Sequence, residues 1–338
     1  MRSGLGAMAA IALLSCTSWG DSTSSCLRLT FAEQNQTHPV YSPSGQFIAF
    51  IEQDAPGDRG VIITRNGDRI GAAGRGGDRV TCSPSWDPTS TKVCWVTEQG
   101  ALWTLDEDGT AASASLALPG TPRQVIWQPR GGRVLISTDV GIYSLPVDGS
   151  GPPRRLEVHA NPRGFSPMSL SSDGGRLAYA SDGAIYLTTS PTSPGRAIGS
   201  PDSQCHAYTG IWLAPRTDQA VVTGLDQRGK GKTRAFLMDV ARGTMAPLDT
   251  LNLDADHVTW STLADSWFAL GAGGEILLYD GCGQLLRRLT CDDGAGEYPA
   301  FDPHAQCVVY CSSRQPAARD GRSAANLFAA LLTSAPGA

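Results

Sequence analysis

The chain has 338 residues, 41% of them hydrophobic and 17% charged, with a formal net charge of −5. That balance excludes a disordered polymer, and a mild negative charge without broad clustering of Lys and Arg leaves no footprint for nucleic acid. With 39 Gly and 22 Pro, the composition suits a globular protein rich in tight turns.

In chain order, the first predicted element is an export signal. Arg2 precedes a mostly apolar or small stretch from Leu5 to Leu14, too short to span a bilayer as a mature helix. It ends in Leu13-Leu14-Ser15-Cys16, which resembles the bacterial lipobox, where cleavage before the cysteine leaves a lipidated N-terminal residue. On that reading residues 1–15 are the signal peptide, Cys16 carries the lipid, and residues 16–25 form a short polar tether. The membrane is then a partner through the anchor, and Thr17, where a retention signal has Asp, directs the protein to an outer membrane. Plain secretion to the periplasm or cell surface is the alternative.

Beyond this segment one pattern recurs seven times: an aromatic residue or Leu, then two small or polar residues ending in Pro, Ser or Thr. The copies are Tyr41-Ser42-Pro43, Trp86-Asp87-Pro88, Trp127-Gln128-Pro129, Leu170-Ser171-Ser172, Leu213-Ala214-Pro215, Trp260-Ser261-Thr262 and Phe301-Asp302-Pro303. Their third positions lie 45, 41, 43, 43, 47 and 41 residues apart. A period of this length predicts a repeat architecture with one sheet per repeat.

After each marker the chain turns into a short apolar run, such as Phe47-Ile48-Ala49-Phe50, Val93-Cys94-Trp95-Val96 or Cys307-Val308-Val309-Tyr310. β-Branched and aromatic residues in short runs bounded by Gly, Pro, Asp and Ser predict strands. A third strand follows, as in Leu102-Trp103-Thr104-Leu105 or Ile276-Leu277-Leu278-Tyr279, and then a Gly turn at Asn66-Gly67, Asp108-Gly109, Asp148-Gly149 or Arg242-Gly243. Weaker fourth strands are expected at Leu116-Ala117-Leu118, Arg155-Leu156 and Arg288-Leu289-Thr290. Four antiparallel strands repeated radially make an all-β, seven-bladed β-propeller over residues 26–332 as a single domain, with 333–338 a flexible tail. The seventh repeat reaches only a third strand, Leu327-Phe328-Ala329-Ala330. Arg28-Leu29-Thr30 matches Arg288-Leu289-Thr290, and Thr30 and Thr290 each precede the next marker Pro by 13 residues. The N-terminal strand is therefore expected to complete the last blade and cover its edge.

Markers such as Tyr41-Ser42-Pro43-Ser44-Gly45 followed by Ile48-Ala49-Phe50, and Ser171-Ser172-Asp173-Gly174 followed by Leu177-Ala178-Tyr179, resemble the WD-like repeat of TolB-type β-propellers. The resemblance covers about residues 26–332. It implies the fold, and no functional residue carries over, because the repeat count of seven and the lack of room for an N-terminal α/β domain depart from the TolB pattern.

Of nine cysteines (Cys16, Cys26, Cys82, Cys94, Cys205, Cys282, Cys291, Cys307 and Cys311), removing Cys16 for lipidation leaves an even number, suited to as many as four disulfides in an oxidising compartment. Cys307 and Cys311 would stand roughly 13 Å apart along one strand, beyond the limit of about 7 Å between bridged Cα atoms. No C-x-x-C occurs, so neither a metal nor any other cofactor is expected.

Nucleophile-elbow, zincin and calcium-loop signatures are absent. Gly231-Lys232-Thr233 mimics the end of a P-loop, but Asp226 stands where the first Gly is required and no helix is predicted to follow. The segment reads as a strand connector whose Arg228, Lys230, Lys232 and Arg234 offer a possible contact for an anionic partner. In a propeller the innermost strand precedes each marker, so equivalent positions form rings about the channel. Thr37, His38, Arg123, Gln124, Asp256, His257, Glu297 and Tyr298 are the candidate surface at that mouth. The marker aromatics, by contrast, are expected between blades. The predicted function is a non-enzymatic protein- or peptide-binding or scaffolding module at the cell envelope. The alternative is an envelope lyase or hydrolase, or a small-ligand sensor, with its site at the same mouth.

Overall fold

The computed structural model describes residues 26–54, 56–80, 82–156, 167–190, 193–200, 205–226, 232–248, 250, 253–263, 267–290, 295–313 and 324–332. The expected signal peptide, Cys16, the tether, Arg228, Lys230, Cys291 and the tail lie outside them. The chain forms seven four-stranded antiparallel sheets, each a blade that begins with its innermost strand. Strand β1 (Cys26–Arg28) comes first in sequence. Blade I holds β2 (Asn35–Tyr41), β3 (Phe47–Gln53), β4 (Arg59–Thr64) and β5 (Arg69–Ala73), and blade II holds β6 (Ser85–Trp86), β7 (Lys92–Val96), β8 (Ala101–Asp106) and β9 (Ala111–Ser115). Blade III follows with β10 (Pro122–Trp127), β11 (Arg133–Thr138), β12 (Ile142–Pro146) and β13 (Arg154–Arg155), and blade IV with β14 (Ser169–Leu170), β15 (Leu177–Ser181), β16 (Ala184–Thr188) and β17 (Arg196–Gly199). Blade V comprises β18 (Cys205–Leu213), β19 (Gln219–Asp226), β20 (Thr233–Asp239) and β21 (Thr244–Pro247), and blade VI β22 (Ala255–Trp260), β23 (Phe268–Ala272), β24 (Glu275–Tyr279) and β25 (Leu285–Arg288). Blade VII consists of β26 (Gly296–Phe301), β27 (Cys307–Ser312), β28 (Asn326–Leu331) and, at its outer edge, β1. The all-β, seven-bladed propeller expected from the repeat is what the chain forms.

Second strands are buried on both faces because each blade is sandwiched between two neighbours. β15 and β27 have no exposed position, and Ile48, Phe50 and Ile51 of β3 are almost wholly inaccessible. These strands therefore read as unbroken apolar runs rather than alternating ones. Fourth strands face solvent, as in β9 and β13, and carry little pattern. Their expected positions need correction for that reason: β9 ends before Leu116, β13 stops at Arg155, and β25 and β1 precede the predicted Leu289-Thr290 and Leu29-Thr30. The four Gly turns hold, with left-handed φ of 96°, 88°, 69° and 71° at Gly67, Gly109, Gly149 and Gly243.

The marker aromatics lie between blades. The Trp86 indole donates to the Val40 carbonyl (3.2 Å), that of Trp260 to the Trp212 carbonyl (2.9 Å), and the Tyr41 hydroxyl meets the Cys307 thiol at 3.1 Å across the I–VII junction. A second device recurs beside them. The hydroxyl one residue before the marker accepts the backbone N–H of the next blade's marker: Ser85 from Trp127 (2.8 Å), Ser169 from Leu213 (2.9 Å) and Thr259 from Phe301 (3.4 Å).

Ring closure follows the sequence expectation. Cys26, Leu27 and Arg28 pair with Ala330, Ala329 and Phe328. Beyond β1, buried Thr30, Gln36 and Asn326 knit the seam: the Thr30 hydroxyl donates to Gln36 Oε1 and accepts the Leu327 N–H (2.9 Å), and Asn326 Oδ1 accepts the Ala32 N–H (2.7 Å).

Among the described residues, which leave out Cys291, no two cysteines are bridged, so the expected disulfides are not found there. Cys94, Cys307 and Cys311 are buried in second strands, packed into blade cores as small apolar residues. Burial pushes the thiols of Cys94 and Cys311 well above the ordinary range and that of Cys82 to about 11.

Candidate functional site

Each inner strand starts at one end of the channel and finishes at its marker, so the residues five positions before the marker's third residue gather at one face, the upper one. Their strands are irregular there. The pairing register shifts between Thr37 and Val40, Pro122 and Gln124, Tyr208 and Gly210, Ala255 and His257, and Glu297 and Ala300. Such bulges re-aim side chains at functional edges. In blades I and VII the shift is sharpest, because His38 and Tyr298 adopt left-handed φ of 55° and 54°, each just before a buried proline, Pro39 or Pro299, that has no N–H to pair.

The result is a compact group of three rings from consecutive blades. The His38 and Tyr298 centroids are 4.0 Å apart, those of His257 and Tyr298 4.4 Å with the rings edge to face, and those of His38 and His257 5.9 Å. Asp256 and Glu297 stand exposed beside them. The Asp256 carboxylate approaches within 3.5 Å of His257 Nδ1. Its seat is provided by Gly271 of β23, where a Cβ would lie 2.7 Å from Asp256 Oδ1.

Burial, reinforced by His257, lowers the His38 imidazole to about 3. Burial together with Glu297, Cys311 and Asp256 raises the Tyr298 phenol to about 12. Both groups are neutral at physiological pH, one as imidazole and the other as phenol. Thr37 Oγ1, His38 Nδ1 and His257 Nδ1 are buried without hydrogen-bond partners, an arrangement that costs about 1–3 kcal/mol for each group.

The remaining sequence candidates are placed elsewhere. Gln124, in blade III, is a clamp: its Nε2 donates to the Met168 carbonyl (3.0 Å) and its Oε1 accepts the Met168 N–H (2.6 Å), tying blade III to blade IV. Arg123 beside it is exposed on that far side of the ring. Of the basic segment, Lys232 is exposed, while Arg234 lies 3.8 Å from Asp226 and over the Phe236 ring. Gly271 was not singled out from the sequence, although a glycine inside the apolar run Phe268-Ala269-Leu270-Gly271-Ala272 is the signal of a close approach.

Among the described residues no three potential metal ligands converge, and no helix is long and apolar enough to cross a membrane. No family model matches the chain, and no curated protein does. Among solved structures, the β-propeller domain of Cps50 (Swd1) from Myceliophteria thermophila superposes with a TM-score of 0.66 at 15% identity, over 88% of this chain and 97% of that one. At such low identity the likeness concerns the fold.

Proposed function

We propose that the protein is a non-enzymatic binding module that holds a segment of a protein or peptide at the upper channel mouth. The observation that carries this reading is the joining of His38, His257 and Tyr298 from three blades into one ring cluster flanked by exposed Asp256 and Glu297. Aromatic faces beside exposed carboxylates favour a cationic group, so the segment is a basic one. The rigid scaffold of strands supports binding without reorganisation. The direction of the pKa shifts argues for binding over catalysis. A general acid or base works best with its pKa near the operating pH, whereas His38 and Tyr298 are driven away from it in opposite directions.

The finer parts of the proposal rest on sequence. A lipidated Cys16 would hold the module at a cell envelope, and the WD-like repeat resembles that of TolB-type propellers.

Selection from a displayed peptide library tests the reading, using wild type and an Asp256→Asn, Glu297→Gln double variant. Both substituted residues are exposed, so the fold is expected to survive. Recovery of Lys- or Arg-containing peptides by wild type alone is the expected result. Equal recovery by both proteins would overturn the proposal.

A further inference from the structure

The lower face, where the markers turn, carries a separate cleft between blades III and IV, with a volume of about 620 Å³. Pockets that take small ligands measure about 300–1,000 Å³. Three arginines line it: Arg130 from the marker turn of blade III, Arg133 at the start of β11 and Arg154 of β13. The Arg133 fork is fixed by its own blade, Nε donating to Ser144 Oγ (3.0 Å) and Nη2 to the Ser144 carbonyl (3.1 Å). No carboxylate among the described residues forms an ion pair with any of the three. The single acid in the lining, Asp173, is occupied by the Ser171 hydroxyl (2.6 Å) and the Gly175 N–H (2.9 Å).

Three guanidinium groups, none ion-paired, against the single carboxylate of Asp173 leave the concave site net positive, which suits an anion with several acceptor oxygens. The hydroxyl of Thr189 adds a donor at the rim, and Pro129 and Leu156 supply an apolar wall for an organic body. Elsewhere Arg59, Arg79 and Arg176 reach carboxylates within 4 Å; what sets this trio apart is that the three converge on one cleft.

We propose that this cleft is a second binding site, independent of the upper mouth, for a small soluble organic phosphate. Titration calorimetry with glucose 6-phosphate, and with glucose as the neutral control, tests it on the intact protein. Single-site saturation by the phosphate, none by glucose, and weakening with added salt are expected. Arg130→Gln with Arg154→Gln is expected to weaken binding by about tenfold or more, with the thermal midpoint of the free protein unchanged because both residues are exposed. Arg133→Lys retains the charge but loses the planar fork, and is expected to weaken binding as well. Unchanged affinity in the double variant, no saturation by the phosphate, or binding only to phosphatidylglycerol vesicles would each overturn the proposal. Peptide binding at the upper mouth should be identical in the double variant, which separates failure of one site from failure of the other.

Discussion

His38 and Tyr298 occupy the same repeat position in adjoining blades I and VII, share a left-handed backbone with φ of 55° and 54°, and place their ring centroids 4.0 Å apart. Both residues pay a conformational cost that glycine would avoid, and both belong to the cluster with buried, unpartnered polar atoms. Two left-handed backbones and three buried, unpartnered polar atoms meet at the proposed binding surface.

That strain is measurable by comparing two truncations of one side chain. His38→Ala and His38→Gly both remove the ring, but only glycine relieves the left-handed penalty of about 1–2 kcal/mol. Relief outweighs the extra chain entropy glycine loses, about 0.5–1 kcal/mol, so denaturant unfolding should find the glycine variant more stable by about 0.5–1 kcal/mol. An alanine variant as stable as the glycine one would remove strain from the account.

The lowered imidazole of His38 gives a pH dependence. Its folded value of about 3 lies below the ordinary value of about 6.5, so the unfolded chain takes up the proton first. Stability present at neutral pH is then lost as pH falls from about 6.5 toward 3, by at most about 1.4 kcal/mol per pH unit. His38→Asn, which tolerates left-handed φ, lacks this loss. Between pH 7 and pH 5, wild type should lose about 2 kcal/mol more than the variant, and parallel losses would show that His38 titrates normally in the folded protein.

Gln124 separates structure from binding at the same ring. Gln124→Leu strands the N–H and carbonyl of buried Met168, at about 1–3 kcal/mol for each group. Thermal unfolding should register that loss, while affinity for peptides selected by the mouth stays at the wild-type value. Weakened peptide binding in a folded Gln124→Leu protein would extend the site to blade III.

Gly271 acts on the site from the second strand. A Cβ there meets only the end of the Asp256 side chain at short range, so Gly271→Ala should leave stability within about 0.5 kcal/mol of wild type and displace the carboxylate. Peptide affinity is expected to fall several-fold, and an unaffected affinity would mean that Asp256 is not part of the contact.

The sequence made the propeller legible because second and third strands are enclosed on both sides. Runs such as Phe47-Ile48-Ala49-Phe50 and Ile276-Leu277-Leu278-Tyr279 announce themselves, and the marker aromatics fix the period. Fourth strands such as Ala111–Ser115 carry no apolar stripe and were therefore expected several residues too late. At the site, counting back from the markers was sufficient to bring His38, His257 and Tyr298 forward. It did not separate them from Gln124, since the direction of a polar side chain toward the channel or toward Met168 has no periodic signature. The cysteine parity suggested bridges, whereas thiols at β-strand core positions replace small apolar residues. The arginine cleft joins a turn and three strands of blade III to turn and loop residues of blade IV, a grouping that only the ring geometry creates.

The central claim, that the upper mouth is where a basic segment binds, is tested most directly by NMR of protein labelled at its five histidines during titration with a Lys- or Arg-containing peptide from the selection. His38 and His257 line the mouth, while His304 lies in a marker turn on the lower face, 3.3 Å from the Ser44 carbonyl. Saturable shifts of the His38 and His257 signals with His304 unmoved are the predicted result. Shifts confined to His304, or a bound peptide that leaves His38 and His257 unperturbed, would contradict it.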